Sequence, residues 1–141
     1  MYVTVQQMTD RFGAAMLVDL TDRGTVATGT IDSAVVNAAI AGADAMIDGF
    51  LSGIYALPMA TVPPLLVDIA LAVTIWRLHV GVPGDKVTLD YKDARASLEQ
   101  ISKGVIKLSV AGVAAPGSGS TGVQIVDRQR PFTEATMKGF I

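Results

Sequence analysis

The segment from Ser33 to Tyr55, SAVVNAAIAGADAMIDGFLSGIY, decides the fold of this chain. Its apolar residues recur at alternating steps of four and three, the spacing that places side chains along one face of an α-helix. They are Val36, Ile40, Ala43, Ile47, Phe50 and Ile54. We therefore predict a long amphipathic helix, which Thr30 or Asp32 caps at its start and Leu57-Pro58 ends.

Two other sets of residues modify this helix. Gly42, Gly49 and Gly53 each weaken it by about 1 kcal/mol relative to Ala, so we expect a neighbouring element to approach closely there. Asp44 and Asp48 lie one turn apart on a different face. Carboxylates at this spacing can bind a hard cation or act as an acid and a base, but we interpret these two as solvated surface groups.

Four further helical segments flank the first. Gly13 separates two short N-terminal ones, and a proline pair opens the next, where the missing N–H of proline does no harm. Asp85 is the predicted N-cap of the last helix, which Gly104 ends. The segments are residues 5–12, 14–20, about 63–80, and 85–104.

The run of residues 62–80 is apolar enough to raise the question of a membrane span. Asp68 interrupts it, and Arg77 and His79 close it. The uncharged stretch is therefore well short of the roughly 20 residues that a bilayer requires. We predict a buried central helix and no contact with a membrane.

The predicted fold class is mainly α, a small helical bundle of three long helices plus two short N-terminal helices, with an extended C-terminal arm. Residues 105–110 are β-branched and alternating, which is typical of a strand or an arm. The length allows one compact domain. We predict a helical body at 1–110, a Gly/Ser-rich linker at 111–122 and an assembly tail at 123–141.

The tail after the linker is apolar and carries several bases. Apolar side chains on a mobile tether need a partner that covers them, so we predict that the tail binds a neighbouring protein. Its large apolar side chains would act as anchors and its bases as steering or pairing charges. The predicted interface residues are Arg128, Arg130, Phe132, Met137, Lys138, Phe140 and Ile141. The alternative is that the tail folds back on its own bundle.

Composition leaves little room for enzymatic chemistry. The chain has no Cys and one His, which excludes disulfides, thiolate metal sites and cysteine nucleophiles. We interpret His79 as a helix-end histidine with a local hydrogen bond. The loop at 22–32 has a suitable length for calcium but lacks the oxygen-bearing side chains. We predict no catalytic, cofactor-binding or metal-binding residue.

The charge is unevenly distributed along the chain. Residues 1–80 hold seven acids and three bases, whereas residues 81–141 hold six acids and eight bases. The C-terminal part is mildly basic, but it lacks the clustered Lys and Arg of a dedicated nucleic-acid binder. The first four residues lack the basic and apolar regions of a secretory signal, so we expect none.

Several short motifs together resemble the Mu-like phage and prophage family of small neck proteins. The resemblance extends over nearly the whole chain, and the combination is specific although each piece alone is weak. The motifs are Met1-Tyr2, Asp10-Arg11-Phe12-Gly13, Leu20-Thr21-Asp22-Arg23, Ala43 to Leu51, Tyr55-Ala56-Leu57-Pro58, Val62 to Leu66, Arg130 to Thr133, and Met137 to Phe140.

This resemblance implies a head-to-tail connector in the neck of the virion. Such adaptors form a homo-oligomeric ring of about twelve copies under the portal, closed by heterologous contacts. The implied partners are the portal protein, a tail-side neck or stopper protein, and phage DNA that passes through the lumen without sequence specificity. The protein would be assembled in the cytoplasm of the bacterial host, without a cofactor.

The alternative function is a small helical DNA-binding regulator of a prophage, because residues 5–20 form two short helices around Gly13. The second of these, at 14–20, is apolar and lacks side chains that read bases. An enzyme is less favoured still.

Overall fold

The computed structural model describes residues 1–109, and the predicted linker and tail lie outside that part of the chain. The described residues form five helices and contain no strand. The helices are α1 (Val5–Phe12), α2 (Ala14–Thr21), α3 (Ser33–Leu51), α4 (Pro64–Leu78) and α5 (Asp85–Ser102). Two short helices followed by three long ones confirm the predicted mainly α bundle.

The two short helices follow from local signals in the sequence. Thr4 caps α1 with a capping box, in which the Gln7 backbone N–H donates to Thr4 Oγ1 (3.2 Å) and the Thr4 N–H donates to Gln7 Oε1 (2.9 Å). Gly13 ends α1 and begins α2 with a φ of 86°, a value that side chains with a Cβ rarely adopt. Their predicted bounds are confirmed to within one residue.

The decisive helix, α3, ends earlier than predicted. Asp32 is its N-cap, as expected, but the helix stops at Leu51 and not at Tyr55. Beyond the turn, Tyr55 is buried, and its hydroxyl accepts the backbone N–H of Leu108 at 2.9 Å. This contact across 53 residues requires the chain to leave the helix so that Tyr55 faces Leu108.

The start of α5 differs from its prediction in one residue. Gly84 occupies the N-cap position, and Asp85 is the first helical residue, with no capping hydrogen bond from a side chain. Its carboxylate still lies in the first turn, where its negative charge interacts favourably with the positive end of the helix dipole. Gly104 follows the helix with a φ of 73°, as expected for a glycine that ends a helix.

The core lies between α3, α4 and α5, and α1 and α2 pack across it. The helix α4 is the most deeply buried, which confirms the prediction of a central helix in the run 62–80. Side chains that are at most 1% exposed come from every helix: Met8, Leu17, Val36, Ile40, Ala43, Ile47, Leu51, Leu66, Ala70, Val73, Ile75, Leu78, Leu98 and Ile101. The three long helices alternate in direction.

The alternating directions give the bundle two different ends. The loop end carries the loops 22–32 and 79–84, which meet where Arg23 Nη2 donates to the carbonyl of Leu78 at 2.6 Å. The exit end carries the loop 52–63 and residues 103–109. Residues 105–109 form no strand, and Leu108 is buried beside Tyr55. The chain therefore leaves the described body at the exit end.

One helix within residues 1–109, α3, is long and apolar enough by composition to cross a membrane. A core helix passes the same test, and the buried stripe of α3 packs against α4 and α5. The outer face of α3 is unusual because it is exposed and bears no charge. Its exposed residues are Ser33, Ala34, Asn37, Ala38, Ala41, Ala45 and Gly49.

Candidate functional site

The two aspartates of α3 bind the N-terminal segment and are not solvated, which makes their sequence interpretation wrong. Asp44 Oδ1 accepts the Tyr2 backbone N–H at 3.0 Å, and Asp44 Oδ2 lies 3.4 Å from the Met1 ammonium. Asp48 accepts the hydroxyl of Tyr2. The pair therefore fixes the start of the chain along α3, and its role is structural.

Tyr2 itself is buried at this contact, with 7% of its surface exposed. Burial raises the pKa of its hydroxyl well above the ordinary value, and the hydrogen bond to Asp48 raises it further. The hydroxyl therefore stays protonated and donates to the carboxylate. A phenol held in this way is a structural donor and a poor general base.

Arg23, Arg77 and His79 line a groove of about 700 Å³ at the loop end. Arg77 lies across Gly42, where an added Cβ would be 3.0 Å from Arg77 Nη1, so the expected close approach is confirmed there. No atom lies within 4 Å of an added Cβ at Gly49 or at Gly53, so the expectation is wrong at those two positions. His79 Nδ1 donates to the Ile75 carbonyl at 2.8 Å, which confirms the local hydrogen bond.

The 22–32 loop uses its first carboxylate to organise itself. Asp22 Oδ2 accepts the backbone N–H groups of Thr28 and Gly29, both at 2.8 Å. The Gly29 N–H is the largest cause of a lowered pKa at Asp22, and the Thr28 N–H adds to it. The carboxylate therefore closes a turn within the loop.

A second groove, of about 300 Å³, runs between α4 and α5 beside the end of α1. Asp68 and Asp93 line it, and neither forms an ion pair with any residue in 1–109. Asp90 also lines it but is bound by Lys86 through hydrogen bonds of 3.1 and 2.8 Å. The sequence analysis does not predict this groove, and the one feature of the sequence that points to it is Asp68, a single charge within an apolar run.

The aromatic residues are structural, as expected. Trp76 of α4 stacks on Tyr91 of α5 with ring centroids 4.2 Å apart and planes inclined by 11°. Stacking of this kind holds two helices together and covers the faces that the two rings turn to each other. Tyr55 is buried and binds Leu108.

All seven predicted interface residues lie outside the described residues. The structure therefore places none of Arg128, Arg130, Phe132, Met137, Lys138, Phe140 and Ile141, and the predicted boundaries at 110 and 122 remain predictions. What the structure adds is the position of the last described residues, beside Tyr55 at the exit end.

The hydrogen-bonded carboxylates at Asp22, Asp44 and Asp48 bind the chain itself. Within residues 1–109, no group of three or more His, Asp or Glu side chains converges as metal ligands would. Fold and site together define a small helical bundle with an N-terminal clamp, in which Asp44 and Asp48 hold Met1 and Tyr2, and with open grooves at the loop end and between α4 and α5.

Comparison with known proteins gives the family. The family model of Bacteriophage Mu Gp36 matches residues 2–126. Gene product J of Escherichia phage Mu is 34% identical over 141 residues, which cover 99% of each chain. The Mu-like prophage FluMu protein gp36 of Haemophilus influenzae is 29% identical over 112 residues, 79% of each chain. The chain belongs to the Bacteriophage Mu Gp36 family, which confirms its resemblance to Mu-like phage proteins.

The comparisons and the structure give no support to the alternative of a DNA-binding regulator. The exposed side chains of α2 are Ala14, Ala15 and Asp19, together with its neighbour Gly13. None of them can donate a hydrogen bond to a base edge or neutralise a phosphate.

Proposed function

We propose that the protein is a head-to-tail connector, an adaptor that forms a ring of about twelve copies in the neck of a tailed phage. The ring would join the portal protein to a tail-side neck or stopper protein, and phage DNA would pass through its lumen. The virion neck is the corresponding location. We expect no enzymatic activity, since the body is organised around structural contacts.

The observation that carries this proposal is the difference between the two ends of the bundle. At the loop end, Val80 and Val82 are 80% and 98% exposed, and Val26 on the adjoining loop is 74% exposed. At the exit end, Val105 is also 71% exposed. Exposed apolar side chains indicate surfaces that a partner covers. At the exit end, the chain continues toward the predicted tail. A connector needs two such unlike ends.

The surface of α3 supports lateral contact between copies. A solvated helix normally carries charged residues on its outer face, as α5 does with Lys92, Asp93 and Arg95. The outer face of α3 carries alanines at Ala34, Ala38, Ala41 and Ala45 and no charge. Small side chains let two helices approach closely, which suits a ring of identical subunits.

The location is tested by labelling. An antibody against residues 1–109, applied to purified virions, should bind at the junction of head and tail when viewed by electron microscopy. Native mass measurement of the purified protein, alone and with portal protein, should show a closed oligomer. Label along the tail or over the capsid would overturn the connector role, and a monomer under both conditions would overturn the ring.

The tail is tested by truncation after Ala115. Every side chain of the described core belongs to residues 2–108, so the truncated protein should melt cooperatively. Its loss of Phe132, Met137 and Phe140 removes the predicted anchors, and one well-buried anchor alone contributes about 2 kcal/mol or more. In a complementation assay, we expect filled heads that fail to join tails. Normal virions would show that the tail is dispensable.

A further inference from the structure

The groove between α4 and α5 holds two carboxylates that the body leaves without a cationic partner. Asp68 and Asp93 face it from the two helices, and neither takes part in the ion pairs within residues 1–109. Two cations also line the groove: Lys86 of α5, which is bound by both oxygens of Asp90, and Arg11 of α1, which forms no ion pair within residues 1–109. Three carboxylates and two cations leave the lining with a net negative charge, and the two unpaired carboxylates beside apolar side chains suit a basic and apolar ligand.

Apolar side chains also line the groove. They are Phe12, Leu65, Ile69, Leu71 and Ala72. Ile69 and Leu71 are buried, whereas Leu65 is 38% exposed although it is a large aliphatic residue on the central helix. An exposed leucine between charged side chains suits contact with an inserted apolar side chain.

The chain itself contains a segment of matching chemistry. Between Arg128 and Lys138, three bases accompany Phe132 and Met137. Residues 128–138 carry one acid, Glu134, so the segment has a net positive charge. Arginine and aromatic side chains also contribute strongly to the free energy of binding when they are buried at an interface.

The distance along the chain permits this contact. Residues 110–127 separate the last described residue from Arg128, and a segment of 18 residues can span about 60 Å when extended. One end of the groove lies near the exit end, since Leu65 and Asp68 belong to the first turns of α4, and the other end lies toward Lys86 in the first turn of α5. The last described residues also lie at the exit end, where Leu108 contacts Tyr55.

We propose that residues 128–138 of one copy bind in the α4–α5 groove of the neighbouring copy, with Phe132 among the apolar side chains and Arg128 or Arg130 at Asp68 and Asp93. The placement rests on the ring proposed above. It gives each subunit one donor segment and one acceptor groove, the head-to-tail arrangement that closes a ring of identical copies.

Single cysteines test the contact, because the chain has no Cys of its own. Ser97 lines the groove, and Gln129 lies between the two arginines. A full-length S97C chain and a full-length Q129C chain, carrying different affinity tags, are mixed under assembling conditions and treated with a short bismaleimide. We expect a crosslink between the two tagged chains. The matched control replaces S97C with S52C, an exposed serine at the exit end, and should give little product.

Charge reversal tests the recognition. In the S97C chain, Asp68→Lys with Asp93→Lys should lower the crosslink yield about threefold to tenfold, the effect of losing two exposed ion pairs. Arg128→Glu with Arg130→Glu in the Q129C chain should restore it. Asp19→Asn, on the exposed face of α2, is the control for an aspartate outside the groove.

Each other outcome contradicts a specific part of the proposal. Rings that assemble without a crosslink between S97C and Q129C would overturn the groove contact but would still support the proposed ring. A crosslink found only within one chain, when S97C and Q129C are combined, would show that the tail folds back on its own body. A crosslink of Q129C to added portal protein in place of S97C would assign the tail to the portal. Chains that stay monomeric would overturn the ring as well.

Discussion

Two pairs of aspartates in the same bundle differ in what they bind. On α3, Asp44 and Asp48 accept hydrogen bonds from Tyr2 and hold the N-terminal segment. Across the α4–α5 groove, Asp68 and Asp93 have no cationic partner in residues 1–109. All four are aspartates on helices, the first pair one turn apart on α3 and the second pair on α4 and α5. The difference teaches that the partner decides whether a carboxylate stabilises the fold or remains available for assembly.

The strongest test of the α3 pair removes what it binds. Tyr2→Ala deletes a buried aromatic side chain together with the hydroxyl that Asp48 accepts, so we expect a loss of about 3–5 kcal/mol in the free energy of unfolding. Urea unfolding followed by circular dichroism measures it. Tyr2→Phe is the matched control and should lose only about 1 kcal/mol, the contribution of one hydrogen bond. Equal, small losses in both variants would show that the N-terminal segment is not anchored.

A smaller effect is expected when one acceptor is removed. Asp44→Ala leaves the Tyr2 backbone N–H without its acceptor and the Met1 ammonium without its partner. We expect a loss of about 1–3 kcal/mol, the cost of a buried donor left unsatisfied. Asp19→Ala serves as a control on an exposed face, and differential scanning calorimetry compares the two. If both variants melt alike, Asp44 is a solvated group after all.

The same clamp predicts a dependence on alkaline pH. Because burial and then the Asp48 hydrogen bond raise the pKa of Tyr2, the unfolded chain loses this proton near pH 10, before the folded chain does. The contribution of the protonated Tyr2 hydroxyl to the free energy of unfolding is therefore fully present below pH 10 and is lost as the pH rises above 10. Melting temperatures from pH 8 to 11 should fall more steeply for the natural chain than for Tyr2→Phe. Parallel curves would contradict a raised pKa.

The smallest effect on stability is expected at the groove. Asp68→Asn with Asp93→Asn removes no internal ion pair, so the free energy of unfolding should change by no more than about 0.5 kcal/mol. The same substitutions should reduce the amount of closed oligomer in native mass measurements. A large loss of stability would place these carboxylates with the α3 pair, and unchanged assembly would leave them without a role.

Sequence reasoning succeeded where the signals are local. The bounds of α1 follow from the Thr4 capping box and Gly13, which act within a few residues. The spacing of apolar residues predicts the three long helices, because a helix in a bundle buries one face and the residues of that face recur every three or four positions. His79 was placed correctly for the same reason, since its partner Ile75 lies four residues away.

The errors arise where a partner is distant along the chain. Asp44 and Asp48 bind Tyr2 across 42 and 46 residues, and Tyr55 meets Leu108 across 53. No local pattern contains these pairs, so the aspartates were assigned to solvent and α3 was extended through Tyr55. The α4–α5 groove was missed because it depends on how two helices face each other.

The stack of Trp76 on Tyr91 makes the protein its own optical probe. Trp76 is the only tryptophan in the chain, so intrinsic fluorescence excited at the indole reports one place in the molecule. That place is the contact of α4 with α5, where the ring centroids of Trp76 and Tyr91 lie 4.2 Å apart. A change in emission on assembly would signal movement between these two helices, and the loss of the N-terminal clamp alone would leave the emission nearly unchanged.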